Sequence, residues 1–260
     1  MKISGYLAWG AACYLVCLLV LLPARWLQDR FFHAGGASPV RLTGVTGTLW
    51  SGAFHAMEVE GVAVGPGAWR LRSGFGVPGW LGMAFALGAP GSGLHVEGVA
   101  GPVGVSALFL AKVTLHATVE RVRAIFPWWV IPGSRGALQG TLEELVFSFS
   151  SGVLVLRGAG VVEGLFLGPP FALALGDFTG RAASGEEGEA LLRFEDRNAR
   201  LRLQGSVRIH GDGRYLLEGS AAARPPADER LAALLRLLGP MDPHGQVTLR
   251  ESGRLFPIKN

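Results

Sequence analysis

The chain has 260 residues, 49% of them apolar and 17% charged, with a mean hydropathy of +0.35. So much apolar surface excludes an intrinsically disordered chain, and 39 glycines with no three-residue period exclude a collagen-like one. The formal charge is +4, but the basic residues are mostly arginines scattered singly among acids, which argues against a nucleic-acid-binding patch.

The first predicted element is a run over residues 3–24 without a single charge. At 1.5 Å per residue it spans a hydrocarbon core of about 30 Å. Tyr6, Trp9 and Trp26 lie near its ends, where interfacial aromatic residues are favoured. A cleaved signal peptide needs a shorter apolar core and a small-x-small cleavage site, and Leu22-Pro23-Ala24-Arg25 is a poor one. An uncleaved single transmembrane helix is therefore expected, with residues 1–30 as anchor and juxtamembrane segment and 31–260 as one extramembrane domain. Lys2 on one side and Arg25, Asp29 and Arg30 on the other do not fix its orientation. Cys13 and Cys17 both fall in this run, at a helical spacing that prevents their pairing, so the domain has no disulfide and no cysteine zinc site.

Beyond residue 40 the pattern changes to alternation. Leu192 and Phe194 alternate with Arg193 and Glu195, Leu201 and Leu203 with Arg202 and Gln204, and Val207 and Ile209 with Arg208 and His210. A period of two marks strands with one wet face. Further strands are expected over 41–50, 53–64, 67–72, 94–99, 112–119, 136–149 and 153–166, with Asp212-Gly213 as a tight hairpin. Glycines such as Gly44, Gly98, Gly140 and Gly158 fall within or beside these strands and predict bulges and strong curvature. The apolar run over 80–88 is too short to cross a membrane.

Two segments have helical character. Residues 119–126 are short and stop at Pro127, whereas 228–238 have Asp228 as cap, Leu231, Leu234, Leu235 and Leu238 on one face, and Gly239-Pro240 as stop. The expected fold is all-β: a strongly curved antiparallel meander, trough-like or partly closed, with one short C-terminal helix and the N-terminal anchor.

No pattern carries catalysis. The six histidines form no H-x-x-x-H pair, and neither a G-x-S-x-G elbow, a Walker A loop nor G-x-G-x-x-G occurs. Glu143 and Glu144, adjacent on a strand, point to opposite faces, and Glu186-Glu187 reads as a solvated loop. Neither an enzyme nor a cofactor, metal or small-molecule site is expected. Trp128 and Trp129, between Pro127 and Pro132, are a candidate interface with a membrane surface or a partner.

The most distinctive string is Thr43-Gly44-Val45-Thr46-Gly47-Thr48-Leu49-Trp50-Ser51-Gly52, which reads as a strand with a glycine bend running into a turn. Following an anchor that ends in Leu-Pro-Ala, it resembles the type II secretion system protein N family, also called general secretion pathway protein N. Gly136-Ala137-Leu138-Gln139-Gly140-Thr141-Leu142, Asp212-Gly213-Arg214-Tyr215, and the segment from Leu234 to Gly239 with Asp242 and Gly245 are similar to later parts of that family. The resemblance marks Gly47, Thr48, Trp50 and Gly52 as motif residues and supplies no catalytic ones. It implies a single-pass protein of the bacterial inner membrane with a periplasmic β domain. That protein would be an auxiliary part of the machine that exports folded proteins, with other inner-membrane secretion components and membrane lipid as partners. A second reading is a lipid-handling domain, because an anchor followed by a one-face-apolar meander also resembles the bridge-like domains of lipid transport. An apolar trough too sparsely filled by its own side chains would favour that reading.

Overall fold

The computed structural model describes residues 14, 18, 21–25, 40–59, 61–73, 81–104, 106–125, 133–148, 152–185, 189–211, 214–225 and 229–254. Among them are β1 (Val40–Thr43), β2 (Thr46–Gly47), β3 (Ser51–Val59), β4 (Val62–Ser73), β5 (Leu81–Leu87), β6 (Leu94–Val103), β7 (Ala107–Thr118) and α1 (Val119–Ile125). There follow β8 (Arg135–Ser148), β9 (Gly152–Leu167), β10 (Leu173–Ser184), β11 (Ala190–Asp196), β12 (Leu201–Ile209), β13 (Arg214–Ala223), α2 (Glu229–Leu238) and β14 (Gln246–Arg254). Every pairing is antiparallel, and all the strands belong to one sheet. From β3 onward each strand pairs with the next in sequence, β1 lies outside β3, and β2 pairs β3 off the main path. The order runs from β1 at one edge to β14 at the other, so the sheet is open.

Most sequence boundaries shift by a residue or two, and a few expectations change. The stretch over 53–64 divides, because Gly61 turns the chain with φ +84° and joins β3 to β4. Residues 41–50 form two short strands separated at Gly44, which has φ +66°. The apolar 80–88 region contains β5, and β10 and β14 are strands beyond those expected from the sequence. Of β10, Gly180 and Ala182 lie on the apolar face, so the amplitude that marks alternation is nearly absent there.

One helix is expected in the domain, and the described residues hold two. Thr118 Oγ1 accepts the Arg121 backbone N–H at 3.3 Å and Glu120 sits in the first turn, which together start α1 despite its seven residues. The face predicted for α2 is also narrower than expected. Leu231, Leu234 and Leu235 are buried, whereas Leu238 is exposed. The transmembrane helix expected over 3–24 lies largely outside the described residues, as does the Asp212-Gly213 turn. No helix among the described residues is long and apolar enough to cross a membrane.

The sheet curls, and its core gathers where it does. Val64 of β4 packs with Leu94 of β6 and Ala117 of β7, and Val122 of α1 joins them. Arg121 of α1 reaches across to donate to the carbonyls of Ala63 and Val64, tying the helix to a strand three positions away in the sheet. The largest cluster joins α2 to Phe178, Leu201, Ala221 and Val247. Each fully buried leucine of α2 contributes about 1.5–3 kcal/mol relative to exposure. At the strand junction beside it, Arg224 pairs with the buried Asp196 carboxylate, whose other oxygen accepts the Leu203 N–H at 3.0 Å.

Candidate functional site

Two features are built by residues that the sequence singles out: the first hairpin, with the glycine–threonine–tryptophan string, and the apolar face of the central strands. At the hairpin, Thr48 N–H donates to Ser51 O at 2.9 Å, and Thr48 Oγ1 accepts the Ser51 N–H at 3.2 Å. Gly47 has φ +91°, and a Cβ there would stand 2.4 Å from Ser51 O, so this position admits only glycine. Across the turn Gly52 pairs with Gly47 on one side and Trp69 on the other. A Cβ on Gly52 would lie 2.3 Å from Trp69 Cζ2, because the indole covers the glycine. Trp69 Nε1 donates to Leu49 O at 3.0 Å, and Phe54 stacks on the indole with centroids 6.2 Å apart. The Trp50 carbonyl accepts the Leu71 N–H at 2.6 Å, so this residue contributes its backbone to the β3–β4 edge.

The turn also holds the segment that precedes the domain. Leu49 N–H donates to Leu22 O at 2.9 Å, Pro23 bridges Thr48, and Arg25 Nε donates to Val45 O at 3.3 Å. Ala24, Val45 and Phe54 are buried together. Gly47, Thr48, Trp50 and Gly52 are thus brought to one place, where the end of the apolar N-terminal run meets the first edge of the sheet. The sequence marks Trp69 only as one aromatic residue of the charge-poor N-terminal half, 17 positions after Gly52, and does not place it on the turn that it binds together. Trp128 and Trp129 lie outside the described residues.

Ionisable groups are dispersed. His210 Nδ1 lies 2.9 Å from Glu189 Oε1, and His95 Nδ1 lies 2.9 Å from Gly88 O. Glu144 stands opposite Arg157 beyond a register shift, and Glu143 is exposed at that shift. Among the described residues no three histidine, cysteine or acidic side chains are placed to hold a metal. Tyr215 donates to Glu251 Oε1 at 3.3 Å, and its ring lies against Gly253. Desolvation and the Glu251 carboxylate together raise its pKa above the ordinary tyrosine value.

The second feature is a wide trough of about 620 Å³ on one face of β6–β11. Direct register places Leu115, Gly140, Gly160, Gly180 and Phe194 in one row across five strands. Leu138, Val162 and Phe178 form the row on one side, and Leu142, Gly158, Ala182 and Leu192 the row on the other. The lining is apolar or glycine apart from Thr141 and Thr179, which sit at the alternate positions of β8 and β10. The first of the flanking rows packs into the clusters that hold α1 and α2, so both helices stand along the same flank. On the opposite flank Leu192 is exposed. The glycines leave space: a Cβ on Gly140 would meet no side chain within 4 Å, and one on Gly180 only Leu192 at 3.8 Å.

The family model for type II secretion system (T2SS), protein N, matches residues 38–250. The chain is 26% identical over 244 residues to the type II secretion system protein N of Klebsiella pneumoniae, covering 94% of this chain and 92% of that one. No solved structure matches it.

Proposed function

The chain belongs to the type II secretion system protein N family, and from that premise we propose that it is an auxiliary component of the type II secretion machinery. It is held in the bacterial inner membrane by residues 3–24, and its sheet stands in the periplasm. There it supports export of folded proteins through contacts with other inner-membrane secretion components. The observation that carries this reading is the extent of the match, which begins two residues before β1 and runs into β14. It therefore covers nearly the whole meander rather than one motif. The docking of Leu22 and Pro23 on the first hairpin supports it further, since a domain tied by that turn to the end of an anchor is held at a defined orientation. Trp128 and Trp129 remain part of the proposed contact surface.

Purification of the full chain from working cells in a mild detergent is the test. Other inner-membrane secretion components should co-purify, and removal of the gene should lower export of folded substrates. Clean purification without such components, with export unchanged in the deletion strain, refutes the reading.

A further inference from the structure

We propose that the trough between β7 and β11 is a binding site for a hydrocarbon chain, and that its occupant is an acyl chain of a membrane phospholipid. This stands on the geometry of the sheet and is separate from the secretion role.

Three properties select this ligand. The first is the match in polarity: the lining is apolar or glycine apart from Thr141 and Thr179, which alternate to the other face of β8 and β10, so its complement is a ligand without charge, donors or acceptors. The second is the backbone. Strands β7 to β11 are interior strands whose N–H and C=O groups are taken up by their neighbours on both sides. An extended peptide laid across them would find no partner for its own amides, at about 1–3 kcal/mol for each group left buried and unpaired. The third is size. The trough's 620 Å³ falls within the roughly 300–1,000 Å³ typical of sites for small organic ligands.

The glycine row makes the site. From Leu115 to Phe194 there are four strand steps, roughly 19 Å at about 4.8 Å each. Gly140, Gly160 and Gly180 in the middle of that line leave a floor of bare backbone between leucine and phenylalanine walls. These three glycines are not in the left-handed backbone region, so their conformation does not require glycine. What the missing side chains provide is volume. A leucine at Gly140 or Gly180 would occupy it, because a Cβ at either position meets only ordinary contacts of 3.5 Å or more.

The test uses the full chain in vesicles of phosphatidylethanolamine and phosphatidylglycerol, doped with a phospholipid carrying a diazirine in one acyl chain. After photolysis, adducts are mapped to residues by mass spectrometry. The expected result is labelling at Leu138, Leu142, Phe178, Leu192 and Phe194, exceeding that on the opposite face of the same strands at Arg181 and Arg193. In Gly140→Leu and Gly180→Leu this labelling should fall several-fold, while adducts on residues 3–24 stay constant. Equal labelling of the two faces, or unchanged trough labelling in variants that keep the native circular dichroism, overturns the proposal. So does cross-linking of the trough to a second copy of the chain without lipid adducts. If a variant does not fold, the comparison between faces in the unaltered chain still decides.

Discussion

Gly52 shows how strictly one position can be set by its neighbours. It lies beneath Trp69 and beside Thr46 O, which a Cβ would approach to 2.6 Å. Gly52→Ala is expected to displace the indole and lose the bond from Trp69 Nε1 to Leu49, lowering stability by about 1–3 kcal/mol; thermal unfolding of the full chain measures this. Tyr215 offers a titration instead. Its pKa is raised in the folded chain, so the stabilisation is complete below the unfolded value of about 10 and is lost as pH rises through the folded one. Ultraviolet titration of the native chain, with Tyr215→Phe to assign the transition, should find it above the ordinary range. Glu251→Gln should move it down; an unmoved transition would show that the carboxylate does not act on it.

At the scale of elements, α2 packs into the core through three buried leucines. Leu235 is 1% exposed within the largest core cluster, while Leu237 on the same helix is 73% exposed. Leu235→Ala should cost about 2–5 kcal/mol through lost burial and a cavity. Leu237→Ala should stay within about 0.5 kcal/mol. Denaturant unfolding of the two variants side by side is the check. This helix was legible because its leucines recur at helical spacing between a proline pair and Gly239-Pro240. For α1 only a faint signal existed, since its seven residues rest on the Thr118 cap and the reach of Arg121 into β4. Strand β10 was the least legible because its apolar face carries glycine and alanine beside Phe178, a consequence of the trough it lines.

For the molecule as a whole, pairing of nearly every strand with its sequence neighbour makes the sheet a quasi-linear stack, in which each strand depends mainly on the two beside it. Stability should then be greatest where strands are long and doubly paired. The 14-residue β8 and 16-residue β9 meet this condition, in contrast to the four-residue edge strand β1. Hydrogen–deuterium exchange should be slowest at 138–142 and 158–162 and fastest in β1 and along the free edge of β14; uniform protection across the sheet would contradict this. The edges are short at β1 and charged at β14, where Arg250, Glu251 and Arg254 discourage addition of a further strand.

Alternation, turn residues and the two helical patterns sufficed, from sequence alone, to establish an antiparallel meander and to reject local catalytic motifs. The string at Gly47 to Gly52 also pointed to the family, because close backbone approach at a turn restricts residue choice within a few neighbouring positions. What only the tertiary structure decided was register, since which residues stand side by side depends on every turn and bulge between them. Register turned Gly140, Gly160 and Gly180 from separate hints of curvature into one continuous floor. It also brought Trp69 onto Gly52, and the end of the apolar N-terminal run onto Leu49. Glycine has no side chain to show in a periodicity, so the feature it creates becomes visible only when neighbouring strands are laid beside it.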